Sequence, residues 1–163
     1  MGDEQARSSS GRDESDVERL DRNLSELLNE LRVALPGVQV LFAFLLVVPF
    51  NQRFVDVTSF QRTIYFITLL CAAAASAFLI SPSVHHRIMF RQQDKEYVVK
   101  TANRSAIVGL SFLAIAMTLA ILLITDVLFG PAAVAITASG VALMFGLVWY
   151  AVPLRRLRAR RRS

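Results

Sequence analysis

Apolar residues gather in four long blocks along this chain, separated by short polar stretches and preceded by a charged leader. The first block reads VALPGVQVLFAFLLVVPF and the polar stretch after it NQRFVDVTSFQR, covering residues 33–62. A helix needs about twenty apolar residues to cross the roughly 30 Å hydrocarbon layer of a bilayer. Val38 to Phe50 falls short of that, and the residues back to Val33 make up most of the difference. The pattern predicts a first span over 35–51, with Pro36-Gly37 as a kink or break at its entry; a re-entrant segment is the alternative. A turn over Asn51 to Thr58 leads to a second span over 60–81, capped by Ser59 and closed by Ser81-Pro82. Its centre, CAAAASA, places Ala72/Ser76 and Ala73/Ala77 at the spacing that lets helix backbones approach closely in lipid. The stretch SVHHRIMFRQQDKEYVVKTANR is polar and helical in part. A third span over 105–128 and a fourth over 132–152 flank a minimal Gly130-Pro131 turn. Ala138, Ala142 and Gly146 share one face of the fourth, and Trp149 and Tyr150 sit where an interfacial aromatic belt would lie.

The leader divides in two. Residues 1–16 are Ser, Gly, Asp, Glu and Arg with little to bury, and read as a disordered acidic tail. Ser15-Asp16-Val17-Glu18 fits a capping box, opening an amphipathic helix over 17–34. Val17, Leu20, Leu24, Leu27, Leu28 and Leu31 line one face of it at about 100° per residue. Three uses compete for the leucine stripe Leu20, Leu24, Leu27 and Leu31: packing on the protein's own inner surface, zipping with another copy, or lying on lipid. Residues 1–32 hold nine acids against five arginines, a balance that anionic lipid repels. Two heptads are also short for a coiled coil.

With 54% hydrophobic residues held in blocks, the expected fold is an all-α integral membrane protein, four transmembrane helices preceded by a cytoplasmic amphipathic helix. The single cysteine, Cys71, excludes an internal disulfide and a cysteine-based zinc site. No cleavable signal peptide is expected, because the first thirty residues lack an apolar core. Gly2 is not read as a myristoylation site, since position 6 is Ala6. Charge sets the orientation. Sixteen of the 18 basic residues lie in the leader, the loop from Pro82 to Arg104, and the tail LRRLRARRRS. The positive-inside rule then places the chain in the cell inner (cytoplasmic) membrane with both termini cytoplasmic. The basic tail, 154–163, is expected to meet anionic lipid, at about 1 kcal/mol per basic residue near the surface. Beyond the bilayer, the partners expected are a homo-oligomer or another membrane protein, and not nucleic acid.

The segments ELRVALPGVQVLFAFLLVVPFNQRF, FQRTIYFITLL, SPSVHHRIMFR and TANRSAIVGL carry a resemblance. Over roughly Asn23 to Leu128 the chain resembles a bacterial family of small four-span membrane proteins, a domain of unknown function. Some members of that family bear an automatic sodium:proton antiporter label, so the resemblance implies a cation or proton carrier as a function to weigh.

A proton-coupled carrier needs an ionisable group near the bilayer midplane. The spans hold instead Gln39, Thr63, Thr68, Ser76, Ser111, Thr118, Thr137 and Ser139, side chains suited to helix–helix or back-bonded hydrogen bonds. Asp126, near the outer end of the third span, is the acid closest to a span interior. It is expected to join Arg53, Asp56 and Arg62 in an outer-face cluster, paired with Arg53 or Arg62. On the inner face, Glu30 and Arg32 are expected to meet His86, Arg87 and Arg91, with Glu30 pairing to Arg87 or Arg91 and docking the leader helix. His85 and His86 point about 100° apart on a helix and lack a third ligand, so no metal site is expected. No cofactor is expected. No phosphate-cradling loop, nucleophile elbow or facing carboxylate pair appears, so no catalytic residue is assigned. The leading expectation is a non-enzymatic interaction or structural membrane protein. A small antiporter-like cation/proton transporter is the alternative.

Overall fold

The computed structural model describes residues 16–89, 95–129 and 131–151. The acidic tail, including Ser15, the basic tail over 154–163, and Arg91 lie outside the described residues, as do the side chains of Arg53 and His86. Four helices follow one another: α1 Asp16–Val47, α2 Ser59–Met89, α3 Lys95–Phe129 and α4 Pro131–Phe145, the last continued by a π-helical turn over Gly146–Ala151. Two 3-10 turns, Val48–Phe50 and Gln52–Asp56, connect α1 to α2.

Of the kink or break expected at Pro36-Gly37, the break does not occur in α1, which is one continuous helix with Pro36 inside it. Leu24, Leu31, Val38 and Leu45 are its buried residues, each seven positions after the last. A 3.5-residue apolar period keeps one seam facing its neighbours along the whole helix. The amphipathic stripe and the inner face of the span are therefore a single surface, and packing along it outweighs the interruption. Pro36 withholds a donor from the carbonyl of Arg32, and both residues lie on the exposed side.

α2 likewise runs through Pro82, where the expected span ends. Tyr65, Thr68, Ala72, Ala75, Leu79 and Pro82 are buried at alternating steps of three and four. Pro82 is fully buried in that seam, and the continuing contacts offset the roughly 3 kcal/mol that an interior proline costs.

The core forms three layers. Leu24 packs with Val98 and Ala102 at one end. Leu31 and Val38 meet Ala75, Leu79 and Ala106 in the middle, and Leu45, Tyr65, Ala72 and Ala116 close the other end. α1 thus runs alongside α3, with α2 antiparallel to both. Ala72 and Ala75, rather than Ala73 and Ala77, carry the close approach, since Ala77 is exposed. The helices also approach closely at Gly109: a Cβ there would sit 2.8 Å from Leu79 Cγ and 3.2 Å from the Leu79 nitrogen. Among the described residues α4 packs on α3 alone.

Candidate functional site

At the end of the bundle near the α1–α2 connection, Thr58 caps α2. Its Oγ1 accepts from the Gln61 backbone N–H at 3.2 Å, and Gln61 Oε1 accepts from the Thr58 N–H at 3.0 Å. This reciprocal capping box makes Thr58 the cap, one residue before the Ser59 expected from sequence. The other half of the Gln61 amide works across the bundle, where Nε2 donates to Asp126 Oδ2 at 2.8 Å.

Gln61, which was not among the expected partners, therefore holds Asp126; of the two arginines expected there, Arg53 has its side chain outside the described residues. Arg62 and Asp56 are exposed, and among the described residues no ion pair joins Arg62 to either acid. The physical reason is reach: on the second turn-forming face of the capping box, Gln61 points inward while Arg62, one position on, points outward. The signal Thr58-x-x-Gln61 was available in the sequence and identifies a residue that charge counting passes over.

At the opposite end, Glu30, Arg32 and Arg87 are all exposed. Among the described residues no ion pair joins Glu30 to Arg87, so that half of the expected inner-face cluster does not form. His85 turns back on its own helix, its Nδ1 lying 3.0 Å from Ser81 Oγ and 2.9 Å from the Ser81 carbonyl. Apolar contact holds α1 down instead: Leu24 is buried against Val98 and Ala102, with Leu27 and Leu28 packed alongside. The leucine stripe is used inside the chain, Leu20 at its half-buried edge.

The hydroxyls within the spans mostly bond backward along their own helices. Thr68 donates to the Ile64 carbonyl, Ser76 to Ala72 and Thr118 to Ala114. Such bonds satisfy a polar group where no water can. Thr137 serves both its own helix, at the Ala133 carbonyl, and α3, at Thr125 Oγ1 3.3 Å away.

A crevice of about 450 Å³ lies between α3 and α4, with Ser111, Ile115 and Thr118 on one wall and Ala142, Phe145 and Gly146 on the other. It falls within the range of ligand sites. Tyr150 closes one end, its hydroxyl against Ser111 Oγ. Ser111 Oγ also lies within reach of the Ile107 carbonyl, to which it can donate. The π-helical turn is what brings Tyr150 there, because i→i+5 bonding turns the side chains away from α-helical phase. Phe145 and Trp149 meet edge to face at 4.9 Å along the same turn. Among the described residues no three His, Cys, Asp or Glu side chains gather to hold a metal.

All four helices are long and apolar enough to cross a membrane, over Glu18–Phe50, Ser59–His85, Tyr97–Phe129 and Ala132–Ala151. An all-helical bundle of this kind, with its large aliphatic side chains facing outward, defines a multi-pass integral membrane protein. The chain belongs to the family of unknown function DUF6328, which it matches over residues 13–153. No curated protein and no solved structure matches it.

Proposed function

We propose that this is a non-enzymatic protein of the cell inner membrane, with both termini cytoplasmic, that acts by interaction or as a structural element. The observation that carries this reading is the isolation of α4. Among the described residues it packs on α3 alone, and it presents Ile136, Gly140, Leu143 and Leu147, all exposed, on the side away from α3. A Cβ on Gly140 would meet nothing within 4 Å. Small residues among aliphatic ones are how helices associate in lipid, where close backbone approach replaces the hydrophobic drive. A second copy of this chain or another membrane protein fits this face.

The leucine stripe of α1 is not the surface offered, since it is covered by α3. The carrier alternative finds less support. Asp126 is tied to an amide at one end of the bundle, and the α2–α3 contact beyond it is filled by Ala72, Ala75, Leu79, Gly109 and Ala116.

Cysteine cross-linking in native membranes tests the reading. Leu143→Cys in a Cys71→Ala background is expected to give a discrete cross-linked species, to a copy or to a partner. A monomer at every oxidant concentration would remove its support. In proteoliposomes, cation-driven proton flux is expected to stay at the level of empty vesicles. Flux that is abolished by Asp126→Asn would make the bundle a carrier instead.

A further inference from the structure

We infer that the crevice between α3 and α4 is a binding site for one alkyl chain of a membrane lipid. It lies on the flank of α4, roughly a quarter-turn from the outward face formed by Ile136, Gly140 and Leu143, counting about 100° per residue. The inference therefore stands or falls apart from the interaction reading.

The lining specifies the ligand. Ile115, Ala142, Leu119 and Phe145 supply an apolar trough with no charged side chain. From Ser111 to Thr118 the trough runs along two turns of α3, or about 10 Å at 1.5 Å per residue. That is a shape for a single extended chain. The hydroxyls at its edge are already engaged. Thr118 donates to the Ala114 carbonyl, Ser111 to Ile107, and the Tyr150 hydroxyl is bonded to Ser111 Oγ. A carboxylate or phosphate would have to break these bonds to find a donor in the trough, so the polar head of the ligand lies outside it and only the hydrocarbon enters.

The crevice is held open by an absent side chain. Gly146 lines it, and a Cβ at that position would meet nothing within 4 Å. This glycine answers no crowding between helices, unlike Gly109, whose Cβ would collide with Leu79. Its effect is to leave volume. Ile115, Ala142 and Gly146 are exposed at the mouth, which faces sideways from two membrane-crossing helices, so the medium adjoining it is acyl chain. An unfilled apolar space of this size forfeits dispersion contacts on every wall, and an entering alkyl chain restores them.

Photolabelling tests the site directly. The full-length protein is reconstituted in phosphatidylethanolamine–phosphatidylglycerol vesicles containing phosphatidylglycerol with a diazirine in one acyl chain. A parallel arm uses a diazirine-bearing palmitic acid, which separates a phospholipid source from a free fatty acid. Adducts are expected to concentrate on residues 111–119 and 142–150, in one arm or both. Gly146→Leu fills the crevice without a clash and is expected to lower that labelling about tenfold, the loss of roughly 1.4 kcal/mol of affinity. Gly37→Leu, whose Cβ likewise meets nothing within 4 Å but which lies on the exposed side of α1, is expected to leave it unchanged. Helical circular dichroism of both variants confirms that the bundle is intact. Labelling spread evenly over all lipid-facing helices, or insensitive to Gly146→Leu, overturns the site. So does a Gly146→Cys, Cys71→Ala protein that cross-links between copies, because a second helix would then occupy the crevice.

Discussion

The hydroxyl of Tyr65 donates a 2.8 Å hydrogen bond to the backbone carbonyl of Leu45, inside the bundle. In an uninterrupted helix that carbonyl would accept from the N–H four residues on, but position 49 is Pro49, which has none. A bare carbonyl in a water-free interior costs several kcal/mol. Tyr65 covers the one that Pro49 leaves at the end of α1, and Phe54 holds its ring edge to face at 5.2 Å.

Tyr65→Phe is expected to destabilise the protein by about 1–3 kcal/mol, the cost of an unpaired buried acceptor, read from thermal unfolding in detergent. Adding Pro49→Ala returns an N–H at position 49 and should recover part of the loss. Equal destabilisation with and without Pro49→Ala would show that the bond to Leu45 is not what Tyr65 contributes.

Gly109→Ala puts a methyl group against both the side chain and the backbone nitrogen of Leu79. Overpacking of this kind costs about 1–3 kcal/mol, because a backbone atom cannot rotate away. Gly37→Ala, facing open space on the exposed side of α1, is the matched control and should leave the melting temperature near that of the parent.

Gln61 and Asp126 separate a structural amide from a charge. Asp126→Asn keeps an oxygen that can accept from Gln61 Nε2, so the change should stay within about 0.5 kcal/mol. Gln61→Leu removes the capping partner of Thr58 and the donor to Asp126 together, and is expected to cost about 1–3 kcal/mol. Chemical denaturation of the three proteins side by side would rank them, and an Asp126→Asn as damaging as Gln61→Leu would contradict this assignment.

The leading half of α1 is docked by hydrocarbon, with Leu24 buried against Val98 and Ala102. Leu24→Ala should destabilise its contact with Val98 and Ala102 by about 2–5 kcal/mol, seen as faster protease cleavage within residues 16–34. Glu30→Arg, at an exposed position without a salt bridge to Arg87, should change stability by no more than about 0.5 kcal/mol. A large effect of Glu30→Arg would restore the electrostatic clamp.

The four spans and their order were legible in the sequence, because twenty-residue apolar blocks in a chain this short have one physical use. The capping box at Thr58 and Gln61 was legible too, as a local pattern three residues apart. Proline misled in α1 and α2. Local propensity ends a helix at Pro36 and at Pro82, whereas a seam of seven-residue period in α1, and of three-four steps in α2, carries each helix through. That Gln61 holds Asp126 was decided by tertiary structure alone: the two lie 65 residues apart in sequence, and formal charge pointed to Arg53 or Arg62. The same holds for the crevice, which exists only because α4 meets α3 along one edge and a π-helical turn swings Tyr150 onto Ser111. Hydropathy records which residues leave water. It does not record which face of a membrane helix meets protein and which meets lipid, since both are apolar, and that choice is made only when the helices pack.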